Sequence, residues 1–210
     1  IMKRYKKTFD PTFTKGTSIY LVIVESPSKC GKIESYLGEQ YKCVSSKGHL
    51  RELDSIKNFD IKYKNISDKE PHIELLKDVI SQYPKENIIL ATDDDREGEA
   101  IAWHICDLFE LDYNTTVRIT FNEITKNAIQ KSIQNPKLID MKLVNSQKAR
   151  QVLDLVVGYK ISPLLWKYAC NDKSNSLSAG RCQTPALRLI YDNHLLKKNS
   201  ENEVKYKITG

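Results

Sequence analysis

Five acidic side chains, Asp93, Asp94, Asp95, Glu97 and Glu99, fall within seven positions of one stretch, residues 87–104 (NIILATDDDREGEAIAWH). Carboxylates crowded in this way oppose joint ionisation unless a cation neutralises them. A few hard oxygen ligands suit Mg²⁺, which keeps several waters and is completed by phosphate oxygens. If the chain stays extended there, Asp93 and Asp95 point one way and Asp94 the other, because strand side chains alternate. The same acids also suit a polar turn running into a helix, whose N-terminus favours negative charge. The flanks favour a site. Residues 88–91 form an apolar run short enough for a buried parallel strand. Ala100, Ile101, Trp103 and Ile105 then follow at the spacing of an amphipathic helix. The carboxylates thus stand at the carboxyl end of a strand, where open α/β sheets hold their ligands.

Other elements position a second set of groups. Residues 18–24 (SIYLVIV) are continuous, apolar and β-branched, the pattern of a buried strand. The run ends in Glu25, a second carboxylate at a strand's end. Ser26 is a candidate N-cap and Pro27 fits the first helical position. That helix runs to about Leu37, where Gly38 stops it. Lys29 lies one turn in, and a helix N-terminus with a lysine is a seat for phosphate. Taken singly, Glu25 reads as a capping acid and Lys29 as a surface lysine. Residues 41–46 read as the next strand, leading to the basic loop Lys47-Gly48-His49-Leu50-Arg51. His49 is a candidate for contact with phosphate or a base, although a lone histidine is more often structural. Residues 52–70 are polar and poorly periodic and read as a loop or an insertion. Residues 73–83 have helical spacing, residues 117–122 alternate as a strand, and residues 125–133 read as a helix. This order predicts an α/β fold, an open parallel sheet with helices on both faces.

Beyond Pro136 the pattern is helical, over residues 138–168, with Gly158 and Pro163 expected to divide it. Arg150 and Asp154 are four apart and share a helix face. Residues 178–183 (SAGRCQ) open a last helix running toward Leu195, with Pro185 in its first turn or marking its start. Small residues there, followed by Arg181 and Gln183, allow close approach to a nucleic-acid backbone; the plainer reading is an ordinary helix start. Residues 203–209 read as one more strand. The expected domains are a basic extension (1–16), an α/β domain (17–139), a partial helical domain (140–200) and the start of a further strand (201–210).

The chain has 210 residues and is 40% hydrophobic, enough for a real core, and its net charge is +6 despite the acidic motif. The basic excess suits a polyanionic partner, or serves only solubility. No apolar run reaches membrane-spanning length, and no apolar segment follows the N-terminal lysines as a signal peptide requires. Five cysteines with no CxxC pair point to reduced thiols in an intracellular protein rather than a disulfide framework or a zinc site.

Three segments in order, Val22-Ile23-Val24-Glu25-Ser26-Pro27-Ser28-Lys29, Ser46-Lys47-Gly48-His49-Leu50 and Ala91-Thr92-Asp93-Asp94-Asp95-Arg96-Glu97-Gly98-Glu99, together resemble the type IA DNA topoisomerases. Phe121-Asn122-Glu123-Ile124-Thr125, Ala149-Arg150-Gln151-Val152-Leu153-Asp154 with Val157-Gly158-Tyr159, and Leu177-Ser178-Ala179-Gly180-Arg181-Cys182-Gln183 are similar to later segments of that family. The resemblance implies a Toprim fold followed by a helical DNA-binding domain, with the last residues starting a gate domain. It implies a Mg²⁺ site at Glu25, Asp93, Asp95 and Glu97, and Lys29 near the scissile phosphate. His49, Arg96, Arg150, Asp154, Arg181 and Gln183 are implied to meet single-stranded DNA, with Arg96 also open to a structural role. The implied activity is ATP-independent cleavage, strand passage and religation of one DNA strand by a monomer. The family's nucleophilic tyrosine stands in a Tyr-x-Arg context that none of the eleven tyrosines here has. It is expected downstream, so this stretch alone is expected not to cleave. Two other readings are a different Toprim nucleotidyl-transfer or nuclease enzyme and a non-catalytic single-stranded DNA-binding module.

Overall fold

The computed structural model describes residues 14–57, 60–169, 177–199 and 207. The expected extension and final strand lie largely outside them. The described chain forms two compact units, residues 1–148 and 149–210.

The first unit is built on a parallel sheet. Its strands are β1 (Tyr20–Val24), β2 (Tyr41–Ser45), β5 (Ile88–Ala91) and β6 (Val117–Arg118), in the order β2-β1-β5-β6. Helices cover both faces. Leu21, Ile23, Ile88 and Leu90 pack with Ile73 and Leu76 of α2 (Glu70–Ile80) and Ile101 and Ile105 of α3 (Arg96–Leu108). The alternate residues Val22, Val24, Ile89 and Ala91 pack with Ile33 of α1 (Pro27–Leu37) and Ile129 of α4 (Lys126–Gln134). Two covered faces explain why β1 and β5 are continuously apolar. Each fully buried Leu or Ile contributes roughly 1.5–3 kcal/mol relative to exposure.

Strand order also fixes where a ligand belongs. From β1 the chain first goes outward to β2, then returns to β5 on β1's other side. The winding therefore reverses between β1 and β5, which creates a crevice at their carboxyl ends.

Three local expectations are corrected. The supposed loop after residue 52 contains an antiparallel hairpin, β3 (Arg51–Lys57) with β4 (Asp60–Asn65), carrying a register shift between Leu53 and Ser55. Its strands are held by backbone pairing and by Tyr63, which packs against Trp103 and His104, and its remaining, largely polar side chains carry little alternation. The last sheet strand is also shorter than expected. Only Val117–Arg118 pairs with β5, while Arg118 bridges to Lys137 on its other side. Finally, α5 (Met141–Tyr168) runs unbroken through Gly158 and Pro163. Pro163 removes one helical N–H, yet the helix continues for five residues beyond it. The division between units falls within α5. The second unit contains the rest of that helix and α6 (Gln183–Asn199), in which Pro185 is the third residue. Among the described residues no helix is long and apolar enough to cross a membrane.

Candidate functional site

The ends of β1 and β5 lie side by side, with Val24 opposite Ala91. Glu25 and Asp93 therefore leave the sheet together. The Asp93 N–H donates to Glu25 Oε1 at 3.0 Å. Lys29 Nζ donates to Asp93 Oδ1 at 2.5 Å from the first turn of α1, which Pro27 starts. Asp95 is the N-cap of α3, its Oδ1 accepting from the Gly98 N–H at 2.7 Å. Asp94 does not turn away as strand alternation predicts; it lines the same cleft as Asp93 and Asp95 and lies 3.6 Å from Lys137 Nζ. The alternation ends because the chain turns, with the Asp95 N–H donating to the Asp93 carbonyl at 2.9 Å. Glu97 meets other groups, His49 Nε2 at 3.7 Å and the buried Gln147 amide at 3.2 Å.

Sequence reasoning missed the support beneath this loop. Arg118 and Glu99 are 1% and 3% exposed and form an ion pair at 3.0 Å. Arg118 Nε donates to Thr92 Oγ1 at 3.0 Å, and its other terminal nitrogen donates to the Asp93 carbonyl at 2.6 Å. Glu99 Oε1 accepts from the Asp140 N–H at 2.6 Å. Burial pulls the Arg118 pKa down, while the Glu99 carboxylate pushes it up. A paired, hydrogen-bonded buried charge of this kind fixes the backbone it touches. Gly98 completes the support, since a Cβ there would stand 2.2 Å from the Asp93 carbonyl oxygen.

The cleft has a volume of about 380 Å³ and is lined by Lys29, Asp93, Asp94, Asp95, Phe121, Asn122, Glu123 and Ile124. Four carboxylates there face one ammonium. Glu123 adds an acid outside the four expected Mg²⁺ ligands. Such a donor set fits a hard divalent cation. Among the described residues, no three acidic, histidine or cysteine side chains stand together as a finished ligand set. Mg²⁺ does not need one, because it keeps waters and takes up phosphate oxygens.

His49 is carried by a loop in which Lys47 and Gly48 have φ of 57° and 83°. Gly48 takes this left-handed conformation without strain, whereas Lys47 has to be held in it. Two links do so: the Gly48 N–H donates to the Glu25 carbonyl at 2.9 Å, and Lys69 Nζ donates to the Lys47 carbonyl at 2.8 Å and the His49 carbonyl at 2.5 Å. Burial lowers the Lys69 pKa, with Lys47 adding to it. Arg96 is exposed at the first position of α3.

In the second unit, Arg181 grips Asp154 with two nitrogens at 2.7 and 3.3 Å, and Arg150 Nε lies 3.7 Å from the same carboxylate. The Arg181 hydrogen bond holds the Asp154 carboxyl below its ordinary range. Gln183 Nε2 donates to Ser178 Oγ at 3.1 Å, beside Gly180. The arginine pair and the glutamine thus share the start of α6.

Residues 20–124 match the Toprim domain family, and residues 138–210 match the DNA topoisomerase family. The chain belongs to the type IA DNA topoisomerases. It is similar to the solved structure of full-length topoisomerase I from Thermotoga maritima, at 38% identity and a TM-score of 0.71 over 86% of this chain. The chain spans 31% of the length of that relative and corresponds to the family's N-terminal region. The Toprim match covers β1 through Ile124, and so contains Glu25, Lys29 and all five acids of the central motif.

Proposed function

We propose that this topoisomerase region supplies the metal and phosphate site for ATP-independent cleavage and religation of one DNA strand, which relaxes negative supercoils in the complete enzyme. One observation carries this reading: Glu25, Lys29 and Asp93 meet at the reversal point of the sheet, on backbone fixed by a buried Arg118–Glu99 pair. Glu25, Asp93, Asp95 and Glu97 would hold Mg²⁺, with Asp94 and Glu123 adding negative charge to the cleft. When bound, the ion supplies positive charge that positions and stabilises a phosphate. Lys29 offers a point charge to the scissile phosphate, exchanging Asp93 for a phosphate oxygen. His49 and Arg96 flank the same loop. Arg150, Arg181 and Gln183 contact single-stranded DNA, and Asp154 restrains the two guanidiniums by occupying them until a phosphate displaces it. Transesterification to a tyrosine conserves the phosphodiester energy, so no nucleotide is hydrolysed. We assign that tyrosine to sequence beyond these residues, the catalytic domain to residues 17–139 and the DNA-binding helices to residues 140–200. The protein acts as an intracellular monomer.

The test combines calorimetry, anisotropy and a denaturing gel on this chain. Asp93→Asn with Asp95→Asn abolishes Mg²⁺ binding, and the wild-type chain binds a labelled single strand without forming a covalent band. In the complete enzyme Lys29→Ala slows cleavage more than it weakens DNA binding. A covalent adduct on any of the eleven tyrosines, or Mg²⁺ binding untouched by the double substitution, refutes the assignment.

A further inference from the structure

We propose that a second cavity of the first unit, between the β3–β4 hairpin and α3, is a subsite for a backbone phosphodiester of single-stranded DNA outside the acidic cleft. At about 590 Å³ it is larger than that cleft. Arg51, Lys62 and Lys148 line it, against one acid, Asp107. Asp107 is paired with Arg51, so one carboxylate serves three cations of the lining.

Two of the cations are held in place. Lys148 Nζ stands 3.3 Å from the centroid of the Trp103 ring, and the Arg51 guanidinium lies 5.6 Å from that of Tyr63. Each ring face thus steadies a positive charge and lowers the cost of ordering it for a ligand. Arg51 Nε is buried and has no hydrogen-bond partner among the described residues. A buried donor in this state is costly until an acceptor arrives. Behind the rings, His104 packs edge-on to Tyr63 at 4.5 Å and to Trp103 at 4.8 Å, and its Nδ1 also lacks a partner. Burial, with Arg51, His49 and Lys148 nearby, pushes its pKa down to about 3, so it adds no charge at neutral pH. Burial also lowers the Lys148 pKa, a shift that an arriving anion reverses.

The chemistry selects a phosphate. One guanidinium and two ammoniums around a single opening match the several oxygens of a phosphodiester better than one carboxylate. The faces of Trp103 and Tyr63 carry cations, so the rings offer edges to a sugar rather than a platform for a base. Trp103 lies eight residues beyond Asp95, the N-cap of α3 that lines the acidic cleft, about 12 Å at the helical rise. A strand seated in the acidic cleft therefore reaches the cavity within the same unit. This inference rests on the proposed DNA-binding function, and its test separates the two.

Trp166→Phe leaves Trp103 as the only tryptophan, since the chain has two. The full chain carrying this change is titrated with a single-stranded oligonucleotide and, separately, with inorganic phosphate, following Trp103 emission. The oligonucleotide is expected to shift the emission saturably, at concentrations at least about tenfold below those phosphate needs, as multivalent contact predicts. Lys62→Gln with Lys148→Gln is expected to remove that shift and flatten the log–log salt slope by about 0.7, one phosphate's worth. Lys62→Arg with Lys148→Arg retains both, and Mg²⁺ binding in the acidic cleft is unchanged in every variant. Oligonucleotide binding with silent emission and an unaltered slope in the glutamine variant overturns the subsite and leaves the proposed function standing. Phosphate binding as tight as the oligonucleotide, or a response to phosphate with no oligonucleotide binding, overturns the DNA assignment in favour of a free-anion site. No response to either ligand refutes an anion site altogether.

Discussion

Gly98→Ala is the sharpest single-atom test of how the acidic loop is held. A Cβ at Gly98 would lie 2.2 Å from the Asp93 carbonyl oxygen, 2.8 Å from its nitrogen and 3.0 Å from its carbonyl carbon. All three are backbone atoms, so no side chain can swing aside. Bringing the oxygen out to 3.0 Å, below which real Cβ contacts essentially never fall, requires a shift of about 0.8 Å. That oxygen is the acceptor for Arg118 at 2.6 Å and for the Asp95 N–H at 2.9 Å, so the shift strains both bonds. Overpacking of this kind costs about 1–3 kcal/mol. A protein of this size loses roughly 2–4 °C of melting temperature per kcal/mol. The functional loss is expected to be larger. Asp93 carries Lys29 on its side chain and Glu25 on its N–H, and a 1 Å misplacement at a reacting centre costs on the order of 10²-fold. Calorimetry should show Mg²⁺ affinity weakened at least about tenfold, and strand cleavage by the complete enzyme should fall on the order of 10²-fold. Gly158→Ala is the control. It sits inside α5 with nothing within 4 Å of its Cβ, and should stabilise by about 0.5–1 kcal/mol. Unchanged melting and unchanged Mg²⁺ affinity in Gly98→Ala would refute the account, and lost stability with intact affinity would reduce Gly98 to a packing role.

Arg118→Met leaves Glu99 buried without its partner and should cost about 3–5 kcal/mol in urea unfolding. Adding Glu99→Gln should recover part of this, and strictly additive losses would mean that the two do not act as a pair. His104 is held neutral by burial, its pKa lowered from 6.5 to about 3. Above pH 6.5 it contributes nothing; as pH falls from there toward 3, the unfolded chain takes a proton that the folded one refuses, and stability drops. The loss reaches about 2 kcal/mol by pH 5, and His104→Phe should remove that part of the pH dependence in melts at pH 7 and pH 5. Asp154→Asn frees Arg150 and Arg181 from their shared carboxylate. It should tighten single-stranded DNA binding and steepen the log–log salt slope by up to about 0.7 for one added phosphate; weaker binding in an anisotropy series would show that the carboxylate positions the arginines instead of restraining them.

The parts of the fold that were legible are those where one physical demand dominates. Strands β1 and β5 are buried on both faces, so Leu21–Val24 and Ile88–Ala91 had to be apolar at every position, and the carboxylates after them marked the strand ends. The hairpin was not legible because its pairing is made by the backbone and its side chains face solvent or long-range partners. Pro163 misled because one lost helical N–H does not by itself end a 28-residue helix. The acidic site divides along the same line. Glu25 and Asp93 converge because two parallel strands end together, which the sequence order already implied. Asp94 defied alternation because alternation holds only while the chain stays extended, and a turn begins at Asp93. Arg118 was the hardest to read. In VRITFN it occupies the polar phase of an apparent strand, the phase assigned to solvent when only alternation is considered. Its burial makes sense only with Glu99, nineteen positions earlier and itself taken for one more acid in the cluster. A charge in the interior is tolerable when its partner is there too, and nothing local to either residue announces the other. That pair is therefore the place where the acidic motif stops being a surface cluster, because it anchors the Asp93 carbonyl from below while the carboxylates of Asp93, Asp94 and Asp95 line the open cleft above.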